Sequence, residues 1–462
     1  MLLIEHEIDL KRDNRDRPSI KWFEQKVLDA LGPNEVPIRF AVTETTEGKY
    51  HCELGILSST EVSPATRPDS IFEFKKRSYE NTDKFNAVLI VPTGIGAEIG
   101  GHAGDAGPVA RLMAAGCDTL ITHPNVVNAS DINELPENGL YVEGSVISNL
   151  LMGTVGLQPV RANRVLLVID KHKDRGIADA TINTASAARA SLGLECPLVV
   201  ELEPPIKMRA RYSTTGCAVG RVEGLERLCA TLKKHEGEYE AVALASVIDV
   251  PSEFHTEYFK QHGNMVNPWG GVEAMLTHAV TMLFGIPTAH SPMFESTEIA
   301  NLDVGIVDPR MSAEAISACF LHCIFKGLHR SPRIIPNREA LGNPGILTAS
   351  DVSCLVIPEG CVGLPTLAAL EQGMPVIAVK ENKNRMRNNL RELPFAPGKL
   401  FVVENYLEAV GIMSTLKSGV TVDSVCRPIP DTRVMTECLP AQESKDKAVN
   451  PPESTDKLIV EK

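Results

Sequence analysis

From Asn86 onward the chain alternates short apolar runs of strand type with amphipathic segments of helical length, and this rhythm restricts its fold most. The apolar runs are Ala87–Val91, Thr119–Thr122, Arg164–Ile169, Leu198–Glu201, Ala241–Ser246, Gly305–Val307, Cys354–Ile357 and Pro375–Val379. Between them the spacing predicts helices over Val109–Ala115, Ala178–Ser191, Val222–Lys234, Val272–Phe284, Ala313–Lys326 and Leu364–Gln372. Continuous apolar strands separated by helices are buried on both faces, which a parallel sheet with helices on each side achieves. The expected fold is therefore α/β, with doubly wound, mostly parallel sheets in two Rossmann-like lobes. Ligands of such sheets sit beyond the carboxyl ends of the strands.

Residues 1–82 break the rhythm and predict a small α+β accessory region. Ile20–Leu31 has helical spacing, and Ile38–Thr43 with Tyr50–Leu57 flanks a turn as a hairpin would. A turn-rich segment, Ser58–Asp69, follows. Proline and glycine cluster between 290 and 345, so the expected division is a lobe over 83–300 and a second over 301–438. The segment 439–462 is polar and free of aromatic residues, and is expected to be disordered.

At 462 residues the chain is too long for one ordinary core. Its net charge of −13, with no block of Lys and Arg, argues against nucleic acid or an anionic membrane as partner. No run approaches the ~20 apolar residues of a bilayer span, and the charged start MLLIEHEIDLKRDNRDR is not a signal peptide. Eleven cysteines without a CxxC pair read as reduced, buried thiols, so the expected location is the cytoplasm.

The stretch VPTGIGAEIGGHAGDAGP, Val91–Pro108, is the strongest site signal. Gly94, Gly96, Gly100, Gly101, Gly104 and Gly107 surround Glu98, His102 and Asp105, between a predicted strand and a predicted helix. Glycines allow close backbone approach to a ligand, and the helix start offers free N–H groups to an anion. The spacing is neither a P-loop nor a dinucleotide fingerprint. A tight turn with solvated charges is the alternative.

Other predicted strands also end in polar loops. Thr122–Asn133 carries His123, Asn125 and Asn128, residue types that equally serve turns and caps. Asp170–Arg175 reads as a solvated loop. Ser252–Gly271 holds His255, His262, Asn267 and Trp269 before Gly270 and Gly271, where a tryptophan stacks on a flat ligand or plugs the core. Ala289–Phe294 places His290 after an apolar segment, and Val307–Glu314 sets Asp308 and Arg310 before a helix, with Arg310 a candidate anion contact. The unit Asp351–Asn384 reads as strand, glycine turn, helix and strand, with Glu359, Gly360, Glu381 and Asn382 at strand ends.

This last unit resembles the nucleotide-sugar half of GT-B-type glycosyltransferases and sugar-nucleotide 2-epimerases, through Gly360, Gly363, Thr366, Glu371, Gly373 and Pro375. The resemblance implies Gly363 and Thr366 near phosphate and Glu371 near a sugar hydroxyl. The Gly100–His102 triplet is similar to the Gly-Gly-His loop of MurG-like enzymes. Over about residues 85–385 the chain resembles a conserved domain of unknown function from cyanobacteria and plants, through VPTGIGAEIGGHAGD, HPNVVNASDIN, NPWGGVEAM and GLPTLAALEQG. That likeness implies no reaction.

The expected function is an enzyme of group transfer, glycosyl transfer being one case, that binds a small anionic, phosphorylated or nucleotide-bearing molecule between the glycine-rich loops. His102 is the expected general base, with Glu98, Asp105 and His255 as further catalytic candidates. No cofactor is clearly encoded. A metal-assisted hydrolase or lyase using His255, His262, His278 or His290 with Glu253 or Asp308 is the first alternative, and a non-catalytic binding protein the second. Homo-oligomer formation is compatible with either.

Overall fold

The computed structural model describes residues 1–13, 17–59, 69–317, 319–340 and 342–437. The expected tail at 439–462 and most of the turn-rich segment after Ser58 lie outside the described residues. Residues Met1–Gly419 form one compact unit. The unit from Val420 onward contains a single short helical turn, Val422–Val425, among its described residues.

The fold is α/β, as the alternation requires, and two sheets dominate it. The strands of these two sheets are β1 (Leu2–Lys11), β2 (Glu35–Thr45), β3 (Lys49–Ser58), β4 (Asn86–Leu89), β5 (Thr119–Thr122), β6 (Gly139–Tyr141), β7 (Val165–Asp170) and β8 (Val199–Leu202). They continue as β9 (Lys207–Tyr212), β10 (Ala218–Glu223), β11 (Ala241–Asp249), β12 (Thr288–Met293), β13 (Val352–Pro358), β14 (Val362–Gly363), β15 (Val376–Val379) and β16 (Leu400–Val403). The principal helices are α1 (Ile20–Ala30), α2 (Gly107–Ala115), α3 (Gly144–Leu151), α4 (Arg175–Leu192) and α5 (Leu225–Lys234). The remaining ones are α6 (Phe254–Lys260), α7 (Gly270–Phe284), α8 (His322–His329), α9 (Leu364–Gln372) and α10 (Tyr406–Lys417).

The first sheet has six strands in the order β16-β15-β13-β4-β5-β6, and every pair is parallel. By chain order this is 6-5-4-1-2-3, the doubly wound arrangement. The chain leaves β4 and its neighbour β13 in opposite directions, so a crevice opens at their carboxyl ends. Their burial explains the uninterrupted apolar runs: all four residues of β4 and all seven of β13 are buried.

The second sheet has ten strands and is mixed. β7, β8, β11 and β12 are parallel to one another, whereas β9, β10, β1, β3 and β2 continue the sheet mainly as an antiparallel run ending in the short β14. The predicted hairpin is present as β2–β3, but it is not a separate accessory region. The free edge of β1 pairs with β10, which builds residues 2–58 into the same sheet as 165–293. Likewise 86–141 and 352–403 share the parallel sheet. The lobes expected at 83–300 and 301–438 are thus interleaved in space, because strand pairing joins segments distant in sequence.

Two predicted elements differ. Gly305–Val307 is not a strand, and Gly305 turns there with φ +65°. The helix predicted over 313–326 is broken: a turn ends at Ala315 and α8 starts at His322. Asp131 intervenes, accepting hydrogen bonds from the Ser317 hydroxyl and the His322 amide.

Where the sheets meet, backbone touches backbone. The Ala218 amide donates to the Gly94 carbonyl at 2.8 Å. A Cβ on Gly94, which has φ +79°, would lie 2.9 Å from the Ala218 carbonyl oxygen, and a Cβ on Gly271 only 1.9 Å from that same atom. A methyl group at Gly271 must therefore push the helix off the strand. Gly271→Ala should destabilise the chain by about 3 kcal/mol, the upper range for overpacking. A lowered urea midpoint with unchanged slope checks this.

Candidate functional site

A cavity of about 380 Å³ occupies the crevice at the β4/β13 switch point. Pro92, Thr93 and Gly94 line it from the loop after β4, and Cys361, Gly363 and Thr366 from the loop after β13. The glycine-rich loop and its counterpart near 360–366 thus flank one space. From the second sheet, His290 and Pro292 of β12 and the start of α7 form the facing wall.

Two helices present uncapped N-termini to this cavity. α7 begins at Gly270 and α9 at Leu364, and neither receives a side-chain cap. Their first amides have no intrahelical partner, so each helix offers donors and partial positive charge. A third start, that of α3, is capped internally: Glu143 accepts from the Ser145 amide at 2.9 Å.

Glu143 also accepts from His278 Nδ1 and from the Ser145 hydroxyl, and Thr277 Oγ1 stands 3.3 Å away. Burial by itself would raise the Glu143 pKa, but the neighbouring His278 and Ser145 outweigh it and hold the group below its ordinary value. An ionised carboxylate only accepts, so Nδ1 of His278 carries the proton. Nε2 makes no protein hydrogen bond among the described residues, and the ring lines the cavity. His123 stands close by. Its Nε2 accepts the Val91 amide at 3.1 Å, and burial, opposed only in part by Glu143, lowers its pKa to about 4. It is a neutral imidazole at physiological pH.

Two further imidazole–carboxylate pairs line the same space: His290 with Glu273 and His255 with Glu295, each at 3.5 Å. His290 is 8 % exposed, and its Nδ1 has no hydrogen-bond partner. Its Nε2 lies 2.6 Å from Ser246 Oγ. Hydroxyl, imidazole and carboxylate follow in the order of a nucleophile relay, but Ser246 is buried and does not line the cavity. The hydroxyl anchors the ring.

The expected catalytic residues of the glycine-rich loop are placed differently. His102 is buried, and its Nδ1 lies 2.7 Å from the Tyr258 hydroxyl, which donates to Glu314 at 3.2 Å. Burial, and next Arg310, lower the His102 pKa. The ring borders a separate, smaller depression together with Gly96, Glu98 and Gly101. Asp105 accepts the Gly100 amide, and burial pushes its pKa up to about 7. Burial does the same for Glu314, also to about 7. Arg310, expected to meet an anion, is occupied by a bidentate pair with Asp308 and by Glu98 at 2.8 Å. That pairing lowers the Asp308 pKa to about 2.

Several expected ligand contacts hold the loop instead. Asn125 donates to the Val91 and Gly100 carbonyls, while Asn382 bonds both backbone groups of Ile99 and the Tyr406 hydroxyl. Asn128 donates to the Tyr141 hydroxyl. Thr366 lines the cavity, but its hydroxyl donates to the Cys361 carbonyl. Glu371 accepts the Ile20 amide at 2.6 Å, and Glu381 is exposed, with both outside the cavity wall. The Glu359 carbonyl accepts from Asn384, next to the turn at Gly360 with φ +85°. Gly101, Asn125, Asn128, Asn267, Trp269 and Gly270 do line the cavity, with Trp269 packed beside His255 at 5.7 Å between ring centroids. Of the histidine set weighed for a metal, His255, His278 and His290 reach this wall and His262 does not. No three of the described His, Cys, Asp and Glu side chains converge as metal ligands.

Sequence reasoning missed Glu143 and Ser246. Glu143-Gly144-Ser145 follows the apolar Leu140-Tyr141-Val142, a strand-to-helix junction that periodicity could have marked.

A family model described as "Protein of unknown function (DUF3326)" matches residues 86–426. A protein of Synechococcus sp. named as an uncharacterised lipoprotein is 34 % identical over 337 residues, covering 72 % of this chain and 91 % of its own length. No solved structure matches. No helix among the described residues is long and apolar enough to cross a membrane.

The buried carboxyls generate a pH prediction. Glu314 holds its proton to about pH 7, whereas its ordinary value is 4.5, so between these values the native chain binds more protons than the unfolded one. Its contribution to stability is complete below the unfolded value and falls as pH rises through the folded one. His123, with its pKa lowered to about 4, acts with the opposite sign. Glu314→Gln keeps an acceptor for the Ala103 amide and removes one titration. Relative to wild type, it should gain stability as the pH is raised from about 4.5 to 7, read from urea midpoints across that range.

Proposed function

The chain belongs to the DUF3326 family, and we propose that it is an enzyme that binds a small phosphate- or carboxylate-bearing molecule in the switch-point cavity and moves a proton on it. The observation that carries this reading is that the Glu143–His278 pair and the uncapped starts of α7 and α9 line one cavity. The helix starts supply donors for an anionic group. The buried Nδ1 of His290, without a hydrogen bond and 3.5 Å from Glu273, is a second polar atom in the same wall. Glu143 fixes the His278 tautomer and leaves Nε2 free to accept or return a proton, the arrangement of an oriented general base.

Group transfer is the reaction class these parts serve best. Gly363, a phosphate contact by the glycosyltransferase resemblance, lines the cavity and supports an anionic group there, whereas the Thr366 hydroxyl is engaged by the Cys361 carbonyl. Glu371 holds α1 in place, which weighs against the sugar contact implied for it. Among the candidate bases, geometry favours His278 over His102, whose Nδ1 is engaged by Tyr258 outside the cavity wall. A cytoplasmic location fits the ten described cysteines, all free thiols.

The test begins with thermal shifts against nucleotides, sugar phosphates and carboxylic acids. A specific ligand should raise the melting temperature by mass action, and a flat response across all three classes sinks the reading. With the ligand found, His278→Ala should leave binding intact and lower turnover by about 10²–10⁴-fold. Glu143→Gln should lower turnover while the thermal shift persists, and unchanged turnover in both variants would remove the assigned base.

A further inference from the structure

One wall of the cavity is largely apolar, with Glu295 beside it paired to His255. In the segment after β12, Ile299, Ala300, Leu302 and Val304 face the cavity, while Thr297, Glu298, Asn301 and Asp303 do not. Phe294 and Phe320 continue this wall, their rings 5.5 Å apart. Leu302 remains 44 % exposed although it lines the cavity. From Thr297 to Val304, polar residues are therefore sorted to the outside of a surface segment and apolar ones toward an uncovered space. A segment that only closed a polar pocket would not need this sorting, and apolar surface left open to water costs about 25 cal/mol per Å².

We infer that this wall is a subsite for a hydrocarbon tail, so that the substrate is amphipathic, with an anionic head at the starts of α7 and α9 and an apolar chain along Phe294, Ile299, Leu302, Val304 and Phe320. The inference rests on the proposed anion-binding reading and adds the class of molecule. Continuity selects the occupant: head and tail sites belong to one cavity, so one molecule reaches both. The segment also carries Glu298 and Asp303, a charge that disfavours seating it on an anionic lipid surface. A soluble amphiphile entering the cavity fits better.

The test is a titration of the full chain with inorganic phosphate and with butyl, octyl and dodecyl phosphate below their micellar concentrations, followed by calorimetry or thermal shift. Affinity should rise by up to about fourfold per added methylene until the wall is filled. Leu302→Gln and Val304→Thr should flatten that dependence while leaving the response to phosphate unchanged. Ile306→Gln, at a fully exposed position outside the wall, should leave both unchanged. Equal binding of phosphate and every alkyl phosphate overturns the tail subsite and leaves the anion reading standing. Chain-length dependence that survives both wall variants also overturns it, because the tail then binds elsewhere. No binding of any probe overturns the head site and the inference together.

Discussion

The structure depends on a seam where backbone packs on backbone. The Gly94 carbonyl accepts from Ala218, and the Gly271 position leaves no room for a Cβ beside the same residue. This contact fastens the loop after β4 in the parallel sheet to β10 in the mixed sheet, and it fastens the start of α7 to both. Without it the two walls of the cavity would have no common reference. Of the glycines that suggested a phosphate cradle, Gly94 serves this seam, whereas Gly100, Gly101 and Gly104 pack against Val91, Ala97 and Ala129. Their value to a ligand is indirect: they set where helix starts, imidazoles and carboxylates stand.

The cavity carries several carboxylates, which would be unfavourable for an anion if they stood alone. Glu143, Glu273 and Glu295 each face a histidine, and burial raises the Glu314 pKa to about 7. His278 gives Glu143 a hydrogen-bond donor, and the uncapped helix starts supply positive potential. Arg310, the cation that sequence reasoning assigned to a ligand, is consumed by Asp308 and Glu98. Its work is to brace the glycine-rich loop against the segment before residue 314.

Legibility in the sequence followed the range of the interaction. The strand Thr119–Thr122 and the helix Leu364–Gln372 were readable to the residue, because periodicity and glycine stops are local. The hairpin β2–β3 was readable from its turn, but its membership of the large sheet was not, since β1 must first find β10 across some 200 residues of chain. The helix predicted over 313–326 failed for a similar reason: its break is imposed by Asp131, distant in sequence. Among site residues, His123, Asn125, Trp269 and Thr366 were marked by their loops, whereas Glu143, at a strand-to-helix junction, gains meaning only beside His278.

The sequence by itself determined the α/β class, the doubly wound character of the parallel sheet and the loops that reach its carboxyl edge. Those follow from apolar period and glycine placement, which act over a few residues. Tertiary structure alone decided which polar groups became partners: His278 with Glu143, His102 with Tyr258, Arg310 with Asp308 and Glu98. Hydrogen-bond partners and solvent exposure depend on segments far apart in the chain, and they separate a histidine that faces the cavity from one enclosed behind it.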